Sequence, residues 1–325
     1  MKNRVYIVLG MLLVAALGWA AWQALPQGPP EPVYDGKPLS AWLKALVLER
    51  NPSTASIPTA SFGPVSKGEL NAEMALSEAG TNAIPTLLRM LRARDWPMEA
   101  RLMELVKTQH IIKIDIEYAA PEVWSAVAEY GFHLLGAKAE SAVPALIEIA
   151  NQNISVVSQC RAIHALEFIG PSAKEAVPVL LRCATSPDAT RRGSAVAALG
   201  KIHAKPDRVV PILVNALQDP DAGVRRDAVW ALFEFASDAK VAVPMLANAL
   251  QDPDSDVRRG AVFTLKRIGP DAKLAPGLDV KLAVPALVDF VNGPNDRLSK
   301  QWATDALKAI DPEAAAKAGV VPRSP

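Results

Sequence analysis

The sequence is poor in the residues that build most covalent and metal-based sites. It has two cysteines and four histidines, and it contains neither a CxxC pair nor an HExxH motif. These counts argue against a disulfide framework and against a zinc centre. The GxSxG, P-loop and GxGxxG motifs of hydrolases and nucleotide-binding proteins are absent as well. We therefore expect no catalytic residues, no metal and no cofactor.

Aromatic residues and excess charge are also scarce. Phe, Trp and Tyr make up 6% of the chain, and 35 Lys and Arg nearly balance 34 Asp and Glu. The resulting net charge of +1 gives no electrostatic reason to expect nucleic acid as a partner. Hydrophobic residues still account for 50% of the chain. This composition favours a helical core packed from alanine, leucine and valine.

One segment is repeated along most of the sequence. The stretch VPILVNALQDPDAGVRRDAVWALFEFA (210–236) has a close copy at 243–269 and a more divergent one at 177–203. Each unit opens on a proline, and the prolines are Pro85, Pro144, Pro178, Pro211, Pro244 and Pro285. Their spacings are 59, 34, 33, 33 and 41 residues. A fixed period in this range is typical of a solenoid.

Each unit predicts two helices joined by a tight turn. Apolar residues recur at helical spacing in both halves, and Pro211 is expected in the first turn of a first helix, where its missing N–H costs nothing. Asp219-Pro220-Asp221 should end that helix, and Asp221 should cap the second one. Ala228 marks the buried face of the second helix. Because one unit cannot bury this face alone, the core is expected to form between stacked units.

This unit resembles HEAT repeats, specifically the short HEAT-like type named after phycobilisome lyases. The resemblance rests on a leucine, an Asp-Pro-Asp turn, a Val-Arg-Arg segment and an alanine-rich helix, which stand at 217–232 and again at 250–265. It implies an all-α fold, an α-solenoid of about six HEAT-like helix pairs. It implies little about function, because this architecture carries scaffolds, adaptors and a few enzymes.

The repeats define the domain organisation. The solenoid is predicted at 68–312, with an insertion near 95–119 that accounts for the long first spacing and a longer loop at 269–281. Residues 27–67 read as a linker with a short amphipathic helix at 38–49, which we interpret as a cap on the first unit. Residues 313–325 are predicted to form a tail.

The first 26 residues carry Lys2 and Arg4, followed by an uncharged stretch long enough to cross a bilayer. They predict a signal anchor (an N-terminal transmembrane helix) or, alternatively, a cleaved signal peptide. With the two cations retained inside, the repeat domain would lie outside the cytoplasm, in the periplasm or at the cell surface. Cleavage would make it a secreted protein.

Two further features are interpreted as structural. Arginines and aspartates recur once per unit, which favours an inter-repeat ion-pair and capping ladder over an anion-binding site; they are Arg192, Arg225 and Arg258 with Asp188, Asp221 and Asp254. Cys160 and Cys183 fall on helices of adjacent units. We expect free thiols, with Cys160 on an exposed ridge, although a single bridge is geometrically conceivable.

Positions that differ between units indicate where a partner would bind. Second helices are expected to line the concave face, so the side of each helix opposite Ala228 should face a groove. The candidate partner-binding residues on that side are Tyr130, His133, His164, Arg226, Trp230, Phe233, Arg259, Phe263 and Lys266. Exposed aromatic rings beside arginine are typical of protein-binding hot spots. The alternative is that these rings pack on adjacent helix turns.

We therefore predict a non-catalytic scaffold or adaptor that binds a protein or peptide in its groove at the membrane. Two alternatives are a chromophore-lyase-like or other enzyme on a HEAT scaffold, and a purely structural envelope protein. The HEAT-repeat deoxyhypusine hydroxylases hold two irons with histidine-glutamate pairs, and this sequence lacks that pattern.

Overall fold

Prolines mark where the first helices of the units begin. The computed structural model describes residues 30–50, 67–92, 121–152, 155–236, 238–272 and 283–317. Within these ranges, Pro85, Pro144, Pro178 and Pro244 each occupy the first turn of a helix. A proline is tolerated there because the N–H it lacks has no intrahelical acceptor.

Aspartates mark where the second helices begin. Asp221 accepts hydrogen bonds from the backbone N–H groups of Gly223 and Val224, which confirms the predicted cap. Asp188 accepts from the N–H of Arg191 in the same way, and Asp296 caps the last long helix. The capping aspartate is therefore a recurrent element of the unit.

The described chain consists of a small hairpin followed by helices. Strands β1 (Val33–Tyr34) and β2 (Lys37–Pro38) pair antiparallel, with Val33 opposite Pro38. The helices are α1 Leu39–Arg50, α2 Lys67–Ala79, α3 Ile84–Leu91, α4 Pro121–Leu135, α5 Val143–Asn151, α6 Val156–Ile169, α7 Val177–Cys183, α8 Ala189–Ile202, α9 Pro206–Ala216, α10 Ala222–Glu234, α11 Val243–Ala249, α12 Ser255–Ala272, α13 Ala283–Asn292, α14 Arg297–Ile310 and α15 Pro312–Lys317.

Helices α3 to α14 form six pairs stacked in chain order, as the repeat predicts. The second helices α4, α6, α8, α10, α12 and α14 pack side by side in one layer, and the first helices pack against that layer. We call the solvent side of the second-helix layer the second-helix face. The fold of the described residues is an all-α solenoid.

A row of fully buried alanines runs through the second-helix layer. Each second helix contributes one of them, and the row is Ala128, Ala162, Ala195, Ala228, Ala261 and Ala303. The helices approach so closely that a Cβ added at Gly200 would lie 2.7 Å from the Cα of Ala231. Small side chains at the contact are therefore a condition of the stacking.

The N-terminal end of the array is closed by the hairpin and α1. Helix α1 covers the predicted helix at 38–49, and its Leu39 and Leu43 are buried against the first units. The indole N–H of Trp42 donates to the backbone carbonyl of Tyr34 at 2.9 Å, which ties the helix to the hairpin. Helix α1 thus packs at the end of the array, and the hairpin has no counterpart in the sequence analysis.

Three boundaries differ from the prediction. Helix α9 begins at Pro206, so that Pro211 lies inside the helix instead of in its first turn, because Pro206 itself supplies a residue with the backbone angle of a helix start. Helix α12 continues to Ala272, into the predicted loop at 269–281. The predicted tail begins with helix α15, whose Ala315 is buried.

Several predictions concern residues outside the described ranges. The predicted anchor at 1–26, the insertion near 95–119 and residues 51–66 of the linker lie there. Among the helices that the structure does describe, none is both long and apolar enough to cross a membrane.

Two of the recurrent arginines tie one unit to the next, through aspartates other than those expected. The guanidinium group of Arg192 donates twice to Asp219, at 2.7 Å and 2.7 Å. Arg225 makes the same bidentate pair with Asp252, at 2.7 Å and 2.9 Å, and also donates to the carbonyls of Asp219 and Pro220. Asp188, Asp221 and Asp254 accept the expected helix-capping hydrogen bonds, but the ion pairs go to Asp219 and Asp252.

The ladder stops at Arg258, which provides a matched control. Gly293 occupies the place that Asp252 has in the preceding unit, and Arg258 donates only to the carbonyls of Asp252 and Pro253 among the described residues. Burial acts to raise the pKa of Asp252, but the hydrogen bonds from Arg225 and the backbone N–H of Asp254, together with the charges of Arg225 and Arg258, outweigh this effect and hold the pKa below its usual value.

We expect R225A to destabilise the protein more than R258A. Removing Arg225 leaves a mostly buried carboxylate unpaired, which costs about 2–4 kcal/mol, whereas R258A loses two carbonyl contacts, worth about 1 kcal/mol. Chemical denaturation of both variants at neutral pH measures the difference. Because the folded pKa of Asp252 is lowered, the difference should shrink as the pH falls through that pKa. Equal losses at neutral pH would contradict the ion-pair ladder.

Candidate functional site

Aromatic side chains form a continuous strip on the second-helix face. The centroid of the Trp230 ring lies 5.9 Å from those of both Phe233 and Phe263, and Phe263 lies 4.6 Å from Trp302. These four residues, which we call the aromatic strip, come from α10, α12 and α14. Trp230 is 41% exposed, whereas the other three are partly buried. The strip therefore carries both features that the sequence analysis set as alternatives: the rings pack on one another, and Trp230 stays open.

Basic side chains surround the aromatic strip. The guanidinium carbon of Arg267 lies 4.4 Å above the ring of Phe233. Arg226 and Arg259 share the single carboxylate of Asp256, at 3.5 Å and 2.7 Å. Lys266 lies 3.6 Å from Asp305 on α14. Four cations thus face two carboxylates around the strip.

The remaining predicted residues lie elsewhere on the second-helix face. Tyr130 is buried rather than lining an open groove, and its hydroxyl donates to Glu73 at 3.4 Å. His133 is exposed, with its ring 4.6 Å from that of Phe168. Cys160 is free, as is Cys183, but it is buried and not on an exposed ridge. The predicted row is therefore broken into separate patches.

His164 belongs to a hydrogen-bonded row that crosses three second helices. Its Nδ1 lies 2.8 Å from a carboxylate oxygen of Glu129 on α4, and its Nε2 lies 2.9 Å from the hydroxyl of Ser194 on α8. Arg161, one turn earlier on α6, donates to the other oxygen of Glu129. We call Glu129, His164 and Ser194 the polar row.

The electrostatics of the polar row favour the ionised forms of Glu129 and His164. Burial acts to lower the pKa of His164, but the hydrogen bond and charge of Glu129 outweigh it and raise the pKa above its usual value. Burial likewise acts to raise the pKa of Glu129, and the contacts with His164 and Arg161 lower it instead. Each group therefore stabilises the ionised form of the other.

The polar row borders a recess of about 300 Å³. Its polar lining comes from His164, Thr190, Ser194, Asp221 and Asp227. The recess exists because α8 has small residues where α10 has large ones. Gly193 and Ala197 line it, and the corresponding residues of α10 are Arg226 and Trp230.

Asp227 is a carboxylate in the recess that lacks a polar partner among the described residues. It makes no hydrogen bond or ion pair with another residue in the described part of the chain, and a Cβ at Gly193 would lie 2.8 Å from its carboxylate. Burial raises its pKa to about 6. Burial also raises the pKa of Glu167, the acidic neighbour of His164. No group of three or more potential ligand side chains is placed to hold a metal ion within the described ranges.

The sequence of this solenoid matches a known family. The model of HEAT repeats matches residues 143–232, 186–266 and 210–308, which together span just over half of the chain. The chain belongs to the HEAT-repeat family. A comparison of this HEAT-repeat sequence with curated proteins found no match.

Solved structures with the same fold are distant in sequence. A designed armadillo repeat protein in complex with the peptide (KR)4 is 18% identical, with a TM-score of 0.50 over 70% of this chain and 99% of that one. A computationally designed armadillo repeat protein for modular peptide recognition is 19% identical, with a TM-score of 0.50 over 70% of this chain and all of that one. The complex of CpcE and CpcF of phycocyanin lyase from Nostoc sp. is 22% identical, with a TM-score of 0.38 over 51% of this chain and 98% of that one. The first two show the fold and nothing more.

Sequence reasoning missed five residues of these two sites: Glu129, Ser194, Asp227, Arg267 and Trp302. Glu129, His164 and Ser194 are 35 and 30 residues apart, and that spacing matches no motif. Trp302 lies in the last unit, beyond the positions compared. Aligning the buried alanines of α12 and α14 puts Trp302 at the position of Gly260. The predicted row that contains Phe263 would therefore have continued to Asp305 and not to Trp302.

We expect Asp227→Asn to stabilise this HEAT-repeat protein at neutral pH. Because the pKa of Asp227 is raised in the folded state, folding takes up a proton between pH 3.8 and about 6, and stability falls as the pH rises through this window. The neutral amide removes that loss, a gain on the order of 1–3 kcal/mol. Thermal unfolding against pH measures it.

The gain should vanish near pH 4, where Asp227 is protonated. Asp256→Asn is the matched control, because Asp256 is paired with Arg226 and Arg259 and its loss should bring no gain. Equal behaviour of the two variants at neutral pH would contradict the assignment of Asp227 as an unpaired carboxylate.

Proposed function

We propose that this HEAT-repeat protein is a scaffold that binds a protein or peptide segment at the aromatic strip. The observation that carries the proposal is the exposure of Trp230, 41% of which remains in solvent at the centre of four contacting rings. A tryptophan presents about 250 Å² at most, so covering the exposed part is worth about 2 kcal/mol. That is the contribution expected of a hot-spot residue.

The packing of the rings favours the interpretation of the strip as a binding surface over that of an incompletely buried core. Phe233 and Phe263 contact Trp230 from two helices, at 5.9 Å each, and hold the indole in one place. A ring held before binding loses little side-chain entropy when a partner arrives. Bulky rigid rings surrounded by arginine are the composition that recurs in interface hot spots.

The charges around the strip determine the chemistry of the partner. Arg226 and Arg259 compete for Asp256, and Arg267 lies over a ring instead of a carboxylate. The surplus of positive charge favours a segment that presents an aromatic or aliphatic side chain to Trp230 and carboxylates to these arginines. The preferred occupant is therefore an acidic, apolar-anchored peptide segment.

The related folds support peptide binding as a use of this architecture. One designed armadillo repeat protein is described in complex with the peptide (KR)4, and another as built for modular peptide recognition. The peptide (KR)4 is basic, whereas the strip of this chain favours an acidic segment. The shared element is the solenoid surface, and the side chains on it set the preference.

The location of the scaffold is proposed from its N-terminal sequence. Residues 1–26 combine two cations with a long uncharged stretch, which supports a membrane tether or an export signal. The repeat domain would then meet its partner outside the cytoplasm, either beside the membrane or after release.

We expect Trp230→Ala to weaken partner binding without unfolding the protein. Full-length protein in detergent is used to select peptides from a random library, and binding of the enriched peptides is measured by fluorescence anisotropy. Enriched peptides should combine an aromatic or aliphatic residue with Asp or Glu. Trp230→Ala should weaken them at least about tenfold, and their affinity should fall with salt.

Val241→Ser is the matched control, since Val241 is also exposed but lies in the turn before a first helix, away from the strip. It should leave peptide affinity unchanged. A large drop in melting temperature for Trp230→Ala together with unchanged peptide affinity would overturn the proposal and make the strip a packing feature.

A further inference from the structure

Three neighbouring second helices each supply one member of the polar row. Glu129 lies on α4, His164 on α6 and Ser194 on α8, and the two contacts, of 2.8 Å and 2.9 Å, join them in that order. An acid, an imidazole and a hydroxyl linked in this order have the geometry of a nucleophilic triad. Such triads are recognised by the geometry and roles of their side chains and recur on unrelated folds in different chain orders.

Glu129 is placed to orient the imidazole. Arg161 holds one oxygen of its carboxylate and Nδ1 of His164 meets the other, so the carboxylate is fixed from both sides. An Nδ1–H donated to Glu129 leaves Nε2 as the basic nitrogen, and that nitrogen faces the Ser194 hydroxyl. This is the tautomer that a general base for serine requires.

Ser194 and His164 both border the recess, so a ligand in it would lie beside them. The neighbouring positions on α8 are Gly193 and Ala197, which leave space above the helix. Thr190 lies one turn before Ser194 on the same side of the helix and adds a second hydroxyl to the lining. The volume of about 300 Å³ suits a small molecule and not a folded chain.

We propose that this recess is an acyl-transfer site for small carboxylic esters, with Ser194 as nucleophile and His164 as general base. Glu129 is a positioning residue that acts through His164. The carboxylates of Asp221 and Asp227 line the same recess, so esters that are neutral or positively charged are preferred over anionic ones. This activity is independent of peptide binding at the aromatic strip.

The reaction requires only water besides the ester. The Ser194 oxygen attacks the carbonyl carbon while Nε2 of His164 takes the hydroxyl proton, and the carbonyl electron pair moves onto oxygen. The tetrahedral intermediate collapses, breaks the bond to the alcohol oxygen and releases the alcohol, which takes the proton from His164. Water then attacks acyl-Ser194 by the same sequence and releases the carboxylic acid.

The rate should rise with pH because the base must be neutral. Glu129 and Glu167 favour the protonated imidazole, whereas Arg161 and burial oppose it, and Asp227 faces it across the recess. The pKa of His164 is raised overall, so the rate should increase as the pH passes through a value above that of an ordinary histidine.

A fluorophosphonate probe tests the proposal directly. The full-length protein is incubated with the probe, and the modified residue is located by mass spectrometry of its peptides. We expect phosphonylation of Ser194 and hydrolysis of 4-nitrophenyl acetate with a burst of nitrophenol. Ser194→Ala should abolish the labelling and reduce hydrolysis at least about 100-fold.

Matched variants separate catalysis from folding. Ser158→Ala removes another buried helix serine, one bonded to Ser155 and not to a histidine, and should leave both readouts unchanged. Glu129→Gln should lower kcat and shift the pH profile while leaving KM close to that of the parent protein. Selected peptides should still bind the Ser194→Ala variant at the aromatic strip.

Wild-type labelling does not depend on any variant folding, so it decides the question. A folded protein that takes up no probe at Ser194, or that is labelled only at another serine, overturns the proposal. The polar row would then be a structural tie between α4, α6 and α8. Hydrolysis that persists in Ser194→Ala at the parent rate would overturn it too.

Discussion

Close contact between successive second helices is the constraint on which this structure depends. Each of these helices has a fully buried alanine at the same register, and at Gly200 even a single added carbon would collide with the backbone of the next helix. Contact at this distance leaves little tolerance for a larger side chain, because helix cores are packed as densely as crystals. Each unit therefore packs directly on the next, and two Arg–Asp pairs add a polar link between neighbouring units.

The same contact creates both candidate sites. When helices are this close, polar side chains from three of them reach hydrogen-bond distance, as Glu129, His164 and Ser194 do. The size of the solvent-facing side chains then shapes the surface. Glycine and alanine on α8 leave a recess, whereas Trp230, Phe263 and Trp302 on the following helices fill a strip. Two surfaces of different chemistry thus arise from one repeated packing geometry.

Most of the fold could be predicted from the sequence, but less of the candidate sites could. The period of the opening prolines predicted the helix pairs, and the aspartate caps and the buried face at Ala228 were confirmed. The exposed setting of Trp230 followed from helical periodicity, but the same reasoning placed Tyr130 and Cys160 in solvent. Periodicity gives the direction of a side chain from its own helix, whereas burial also depends on the neighbouring helix that covers it.

The sequence by itself determined the period of the helix pairs, the aspartate caps of the second helices and the order in which the units stack. These features follow from signals that act within one unit, namely proline at a helix start, aspartate at a cap and alanine at a fixed register. Only the tertiary structure decided which side chains meet across helices. The partners of Arg225, His164 and Phe263 come from other units, and their meeting depends on the distance and rotation between helices. No local pattern records those quantities.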